Sequence, residues 1–283
     1  MTTSSGRLPR IGIDPGKVGR PGLTEESRYW NQVTREWLRS SPQELWRVHA
    51  DLVNVELCDR WLPEKDGGRL LKTDLFDEAF GQGIYPFLVR RADHFVGMDL
   101  SSGTVTTARS RYLELPGLAA DARSLPFVDQ AFDLIVSNST LDHFGSLSEI
   151  KASLGELGRI LRPEGHLLIT VDNLSNPIVA LRAVLPFRWL NRLGLVPYYV
   201  GQTLGQRGLC RFLDEAGFEV ERVGAIMHCP RVLAVALSRT VQRLAGPRGQ
   251  SRYLRALRVF ERLSGWPTRY LTGHFVAVLA RRR

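Results

Sequence analysis

The feature that most constrains this fold is a regular alternation of strand-like and helix-like segments between residues 70 and 172. Short apolar runs, typical of strands, are separated by stretches whose apolar residues recur at helical spacing. The predicted strands cover 70–77, 94–100, 117–120, 132–137 and 166–172, and the predicted helices cover 84–92, 103–112 and 147–161. Strands separated by such helices form a parallel sheet covered on both faces, so a doubly wound α/β fold is expected.

The chain beyond residue 172 extends the same pattern. A helix is predicted at 203–216, and two further strands at 218–226 and 275–280 bring the expected total to seven. Between these two strands, residues 229–273 combine many arginines with leucines and valines at helical spacing. This spacing predicts a basic helical insertion of two amphipathic helices before the last strand.

The first 66 residues differ in composition from the rest. Residues 1–24 contain five glycines and three prolines with few apolar side chains, so they cannot bury enough surface to fold, and a flexible tail is expected. Residues 25–66 carry tryptophans, leucines and valines at helical spacing. They predict two helices that form an N-terminal cover over the sheet, and residues 67–283 are then expected to form one α/β domain.

Composition limits the classes of partner and compartment. The 38 basic residues exceed the 29 acidic ones, and the resulting charge of +9 permits nucleic acid, membrane surfaces or anionic metabolites as partners. Three cysteines, Cys58, Cys210 and Cys229, stand at irregular spacing, so neither a disulfide framework nor a bound metal is expected. The apolar runs are too short to span a membrane, and the expected location is the cytoplasm.

Acidic residues and glycines stand where the predicted strands end. Residues 77–83 read Asp-Glu-Ala-Phe-Gly-Gln-Gly after the first strand, and glycines there let the backbone approach a ligand closely. Asp99 ends the second strand, where a carboxylate accepts hydrogen bonds from ribose hydroxyls or caps the next helix. Asp121 follows the third strand and is placed to accept from an adenine amino group. Open α/β sheets bind ligands at this edge, so a nucleotide-like ligand is expected, with an ordinary tight turn at 77–83 as the alternative.

Five motifs in a fixed order resemble those of a known family. They are Asp-x-Ala-x-Gly-x-Gly at 77–83, an acid after the second strand, Asp-Ala before Leu-Pro-Phe at 121–127, Phe-Asp-Leu-Ile-Val-Ser at 132–137 and Leu-Arg-Pro-Glu-Gly-His-Leu-Leu-Ile at 161–169. Together they resemble the signatures of class I S-adenosylmethionine-dependent methyltransferases. The resemblance implies a Rossmann-like, seven-stranded sheet that ends in an antiparallel hairpin.

The resemblance also implies S-adenosylmethionine as the cofactor and assigns residues to it. These are Asp77, Ala79, Gly81 and Gly83 for the methionine end, Asp99 and Leu100 for the ribose, Asp121 and Ala122 for the adenine, and Ser137 and Asn138 on the methyl-transfer side. Ala79 departs from the family, which has the first glycine of the loop there. Its methyl group narrows the site, or clashes if the residue needs a positive φ.

Two charged residues, Lys72 and Asp74, fall inside the first predicted strand. Buried charges must be paired, so a mutual or helix-assisted salt bridge is one interpretation. The other is that Asp74 orients a group from the N-terminal helices, such as His49.

The predicted function is methyl transfer to a small or lipid-like, hydroxylated acceptor by in-line displacement. A hydroxyl acceptor needs a base, and His143, just beyond the fourth strand, is the candidate, with a loop histidine that packs on the cofactor or caps a helix as the alternative. Residues 174–202 fall where this fold commonly covers the acceptor, and their apolar and aromatic content predicts an acceptor lid for a hydrophobic or mixed compound.

Several alternatives remain open at this point. The basic residues are dispersed and no added RNA-binding module is recognisable, so nucleic acid is not the expected partner. The insertion suits either peripheral membrane contact through 230–262 or solvated helices and a dimer surface. A nicotinamide dehydrogenase lacks support because no third glycine or alanine follows Gly83 at the required place. A noncatalytic protein that keeps the fold as a binding or scaffolding module is the alternative function.

Overall fold

A computed structural model describes residues 24–40, 44–64, 68–193 and 195–283. Its strands are β1 (Arg69–Lys72), β2 (His94–Asp99), β3 (Gly117–Ala119), β4 (Phe132–Asn138), β5 (Leu161–Asp172), β6 (Phe218–Ile226) and β7 (Phe275–Arg282). They form one sheet in the order β3-β2-β1-β4-β5-β7-β6. Pairs among β1 to β5 are parallel, and β7 runs antiparallel to both β5 and β6. The predicted doubly wound sheet with a terminal antiparallel hairpin is therefore confirmed.

Helices of the described residues cover both faces of this sheet. They are α1 (Glu25–Ser40), α2 (Glu44–Trp61), α3 (Phe76–Phe80), α4 (Tyr85–Leu88), α5 (Ser102–Arg111), α6 (Leu147–Ile160), α7 (Pro177–Val184), α8 (Phe187–Arg192), α9 (Gln206–Glu215), α10 (Arg231–Leu244), α11 (Pro247–Val259) and α12 (Arg269–Thr272). Short 3₁₀ helices occur at Leu141–His143 and Phe260–Gly265.

The core consists of two apolar layers on opposite faces of the sheet. On one face, Leu157 of α6 and Phe212 of α9 pack against strand residues such as Leu167. On the other face, α2 and α5 supply Leu57 and Val105. Helices α10 and α11 of the insertion before β7 pack on α2 and add Ala234 and Leu257 to this second layer.

The N-terminal helices and the insertion occupy the regions that the sequence predicts for them. Helices α1 and α2 fall within 25–66, and α10 to α12 fall within 229–273. The predicted tail, 1–24, lies outside the described residues apart from Thr24. No helix in the described ranges is both long enough and apolar enough to cross a membrane. The division of the chain into tail, cover and α/β domain stays a prediction.

The first strand is shorter than the sequence predicts. It ends at Lys72, and the chain then turns into α3, whereas a strand was expected over 70–77. The turn forms because the Asp74 carboxylate accepts a hydrogen bond from the Phe76 N–H at 3.0 Å, a local turn that competes with the strand. Smaller differences are that α4 ends at Leu88 rather than 92, and that β5 begins at Leu161 rather than 166.

The charges in β1 are paired as the simpler interpretation predicts. The buried Lys72 ammonium lies 2.9 Å from Glu78 and 3.8 Å from Asp74, so both carboxylates neutralise it. His49 faces elsewhere, with its Nε2 atom 3.4 Å from the Cys229 sulfur. The interpretation in which Asp74 orients His49 is therefore wrong.

Candidate functional site

A cavity of about 560 Å³ opens at the carboxyl ends of β1 to β4. The parallel strands bring Asp74, Asp99, Asp121 and Asn138, which end or follow four neighbouring strands, to one edge. Helix α1 and the segment after α8 close the opposite side of the cavity. This is the edge where open α/β sheets bind ligands, and the volume suits a small molecule.

Seven of the residues predicted for the site lie on the cavity wall. They are Asp77, Asp99, Leu100, Asp121, Ala122, Asn138 and His143. Ser137 is fully buried just behind the wall, where its hydroxyl accepts a hydrogen bond from Thr73 at 3.0 Å. Ala79, Gly81 and Gly83 lie outside the wall formed by the described residues.

These last three residues form a structure different from the predicted ligand loop. Ala79 is helical and 2% exposed in α3, so its methyl group packs in the core and narrows no ligand site. Gly83 has a φ of +62°, and a Cβ atom there would lie 2.5 Å from the Glu78 carboxylate. That carboxylate accepts from the N–H groups of Ile84 and Tyr85. The glycine therefore lets the chain wrap around Glu78.

Carboxylates crowd the end of the cavity near β1 and β2. The Asp99 carboxylate accepts from the N–H groups of Ser101 at 2.7 Å and Leu75 at 3.2 Å, while Ser101 caps α5. Burial and the neighbouring Asp74 raise the pKa of Asp99 to about 7. Burial, opposed by Lys72, raises the pKa of Asp74 to about 6. Ionising both carboxyl groups in this place is therefore unfavourable, and a bound cation would make it more favourable.

Another part of the cavity wall, which we call the slot, is apolar and adjoins a charged pair. Met98, Leu100 and Ala122 line the slot. At its rim, the Arg123 guanidinium lies 2.7 Å from the Asp121 carboxylate and also pairs with Glu26 of α1. The slot offers apolar contacts to a ligand, and the carboxylate next to it supplies a hydrogen-bond acceptor.

The side-chain amide of Asn138 is the polar group of the cavity that most directly indicates a ligand. It is 9% exposed, it lines the cavity, and neither its Nδ2 nor its Oδ1 atom has a hydrogen-bond partner among the described residues. A buried amide without partners costs free energy unless a ligand or water supplies them. Nearby, Asp142 accepts hydrogen bonds from the Ser139 hydroxyl at 2.8 Å and from the Asp172 N–H at 3.0 Å.

His143 also lines the cavity. Its Nδ1 atom is 3.1 Å from the Tyr199 carbonyl oxygen, so in the neutral ring Nδ1 carries the proton and Nε2 is the acceptor nitrogen. Its ring makes edge-to-face contacts with Trp30 at 4.8 Å and Tyr198 at 5.7 Å. These contacts fix both the ring plane and the tautomer.

One half of an aromatic wall was missed by sequence reasoning, since Tyr198 and Tyr199 fall in the predicted lid 174–202 but no residue of α1 was assigned to the site. Tyr29 and Trp30 of α1 meet Tyr198 and Tyr199, and the Tyr29 hydroxyl accepts a hydrogen bond from the Tyr199 N–H at 2.7 Å. The hydrogen bond between Tyr29 and Tyr199 joins segments that are 170 residues apart in the chain. The helical spacing of Trp30 predicted only that it faces a core. Only the crossing of α1 over the cavity reveals its role as a wall.

Comparison with known proteins shows which family the central part of the chain resembles. A family model described as a methyltransferase domain matches residues 76–169, which run from α3 to β5. The resemblance to methyltransferases that the sequence motifs indicate is confirmed for this segment.

Curated relatives match parts of this methyltransferase domain. A probable tRNA methyltransferase 9B from Bos taurus is 34% identical over 112 residues, which is 40% of this chain and 23% of the relative. A demethylmenaquinone methyltransferase from Corynebacterium kroppenstedtii is 33% identical over 117 residues, which is 41% of this chain and 48% of the relative. The chain thus spans less than half the length of either relative.

A solved structure confirms the fold over nearly the whole chain. An S-adenosylmethionine-dependent methyltransferase from Thermotoga maritima superposes with a TM-score of 0.55. The match covers 91% of this chain and 97% of the other, at 16% sequence identity. At this identity the likeness concerns the methyltransferase fold alone.

Proposed function

We propose that the protein transfers a methyl group from S-adenosylmethionine to a small or lipid-like, hydroxylated acceptor. The observation that carries this proposal is the group of carboxylates with raised pKa values at the ends of β1 and β2, beside the unpartnered Asn138 amide. A ligand with cationic groups, ribose hydroxyls and a flat apolar base matches this donor and acceptor set.

We orient the proposed cofactor by the side chains that line the cavity. We assign the ribose hydroxyls to Asp99 beside Leu100, and the adenine to the slot at Asp121 and Ala122. Asp74 and Asp77 then face the cationic methionine end, because they occupy the cavity where the predicted glycine loop was expected. This assignment replaces Ala79, Gly81 and Gly83, which lie outside the wall.

The other side of the cavity is proposed as the acceptor site. His143, Phe187 and the tyrosines at 198–199 line it, so an acceptor with an apolar or aromatic body contacts rings there. Residues 174–202 would act as the lid, since they carry three of these rings. A relative named for a quinone acceptor supports this substrate class.

Proton removal is assigned to His143. The bound sulfonium supplies an activated methyl group, so the protein has to align the acceptor and exclude water. In this assignment Nε2 of His143 would accept the hydroxyl proton of the acceptor while the acceptor oxygen takes the methyl group that the bound sulfonium would supply. The Tyr199 carbonyl holds the ring in the tautomer that accepts this proton.

The test is methyl transfer from radiolabelled S-adenosylmethionine to hydrophobic phenols, hydroxylated quinones and, as a comparison, unmodified tRNA. We expect transfer to a hydrophobic hydroxyl compound, and about a hundredfold loss of turnover in His143→Gln with unchanged cofactor affinity. His94→Gln, an exposed residue at the opposite end of β2, is the matched control.

Two results would contradict the proposal. Cofactor binding without transfer to any hydroxyl acceptor would favour the noncatalytic binding or scaffolding alternative. Transfer to tRNA alone would instead point to the function for which the Bos taurus relative is named.

A further inference from the structure

The two helices after β5 present an unusual apolar surface, which we call the lid face. It consists of the exposed apolar side chains of 177–195: Ile178, Leu181, Val184, Leu185, Trp189, Leu193 and Leu195. Val184 is 77% exposed, Leu193 73% and Trp189 65%. A surface helix normally turns its polar side outward, so a row of large apolar groups here indicates a partner.

The packing of α7 and α8 shows that this surface is additional to their core contacts. Val179 of α7 and Leu190 of α8 are buried and hold the helices against the protein. Ile178 and Leu181 then point outward from the same α7, and Trp189 points outward from α8. The helices therefore have two apolar sides, and only one is used by the described residues.

The chain segment that carries the lid face has positive charges and no negative ones. Residues 173–213 contain five arginines and no acidic residue. Arg182 is used internally, 2.6 Å from Asp172. Arg188 and Arg192 are exposed on α8, and in the part of the chain that the structure describes no carboxylate lies within 4.0 Å of either. An anionic surface is thus the complementary partner.

The same asymmetry extends over the C-terminal part of the chain. Residues 173–283 carry 18 arginines and five acidic residues, whereas residues 1–172 carry 20 basic and 24 acidic ones. The insertion leaves and re-enters the sheet at the same edge as α7, where the Asn173 and Asn176 amides bond to the carbonyl of Gly273. A second copy of the chain would bring a like-charged face, so self-association is disfavoured.

The lid face adjoins the mouth of the cavity. Phe187 of α8 lines the cavity and contacts the ring of Tyr199, with a centroid separation of 5.8 Å. Trp189 and Arg188 follow directly on the outer side of the same helix. A molecule embedded in whatever covers the lid face can therefore reach the cavity past the Phe187 ring.

We propose that the lid face docks on the surface of an anionic lipid bilayer. The apolar side chains of α7 and α8 enter the boundary between headgroups and acyl chains, Trp189 lies at the interface, and Arg188 and Arg192 contact lipid phosphates. Entry of a lipid-embedded acceptor by this route rests on the proposed function, but docking itself does not.

This surface differs from the one that the sequence suggests. Residues 230–262 were the predicted membrane contact, and in the structure Ala234 and Leu257 of this segment are buried near α2. Its helix α10 still exposes Leu233 and Leu237. The two candidate surfaces can therefore be separated by variants of matched chemistry.

The experiment is co-sedimentation of the full chain with phosphatidylcholine vesicles that contain or lack phosphatidylglycerol. We expect binding to the anionic vesicles only, weakened by salt. The double variant Val184→Asp/Leu193→Asp should bind at least about tenfold more weakly, since two inserted apolar groups are lost. Leu233→Asp/Leu237→Asp on α10 and Leu113→Asp, at an 88% exposed site elsewhere, are the matched controls.

A second variant keeps the test decisive if the aspartates disturb α7. Arg188→Gln/Arg192→Gln retains all apolar groups and should lose the preference for phosphatidylglycerol. Docking through the lid face is refuted if the wild type ignores anionic vesicles, or if the α10 variant loses binding while the lid variant retains it. A dimer in sedimentation velocity that the Val184→Asp/Leu193→Asp variant dissociates would assign the face to a second copy. Vesicle binding needs no methyl donor, so its outcome is independent of failed methyl transfer.

Discussion

Replacing Asp99 with alanine removes the group on which the cofactor assignment most depends. Asp99 is the last residue of β2, and its carboxylate faces the cavity while accepting from the N–H groups of Leu75 and Ser101. In the assignment it also accepts hydrogen bonds from two ribose hydroxyls. The alanine variant loses both ligand contacts and leaves two backbone donors without their acceptor.

The expected size of the effect follows from these contacts. A hydrogen bond to a charged group contributes about 1.5–3 kcal/mol, so two of them contribute at least about 3 kcal/mol. This corresponds to a loss of about a hundredfold in affinity. The raised pKa of Asp99, about 7, lowers the gain near neutrality, because part of the unliganded protein must first lose a proton.

The assay is calorimetric titration of the variant with S-adenosylmethionine and S-adenosylhomocysteine at pH 8. Asp93→Ala is the matched control, since Asp93 is exposed just before the opposite end of the same strand. Thermal unfolding checks that the Asp99 variant is folded. An affinity within about threefold of the wild type, in a folded variant, would refute the ribose assignment.

Four further predictions concern the site and the chain around it. The affinity for S-adenosylmethionine should rise between pH 6 and 8 as Asp74 and Asp99 ionise, which titrations across this range measure. Both carboxyl groups have pKa values above the ordinary one, so their contribution to stability is present at low pH and is lost as pH rises through about 6 to 7. The melting temperature of the unliganded protein should fall over this pH range. Bound cofactor should make that fall smaller. Gly83→Ala should destabilise the fold by about 1–3 kcal/mol in denaturant unfolding, because φ is positive and a Cβ meets Glu78; an unchanged midpoint contradicts this reasoning. Asn138→Leu should cost cofactor or acceptor affinity without lowering the melting temperature, since the amide has no partner among the described residues to lose.

The residues at the strand ends could be predicted from the sequence because parallel topology fixes where they meet. Asp99 and Asp121 each follow a short apolar run, and alternation with helices places both runs in one parallel sheet. Their position therefore needs no knowledge of side-chain contacts. The same reasoning located Asn138 at the end of β4 and His143 just beyond it.

The sequence predictions that were wrong or incomplete depend on contacts between side chains. Hydrophobic spacing does not contain information about such contacts. A strand over 70–77 was expected from apolar content, but Lys72, Asp74 and Glu78 neutralise one another only when the chain turns into α3. That turn carries Ala79 and Gly81 away from the cavity. The contribution of α1 to the aromatic wall was missed for a different reason. The contact between Tyr29 and Tyr199 joins two segments that are distant in the sequence, and a local spacing pattern does not connect them.

The most direct test of the central claim is calorimetric titration of the purified protein with S-adenosylmethionine, with S-adenosylhomocysteine, and separately with NADH. The structure predicts micromolar binding of both adenosyl compounds and no heat with NADH. S-adenosylmethionine should lose more affinity than S-adenosylhomocysteine when Asp74 is replaced by asparagine, because only the former carries the sulfonium charge. Absence of binding by both adenosyl compounds would contradict the account and favour a scaffold that keeps the methyltransferase fold without its cofactor.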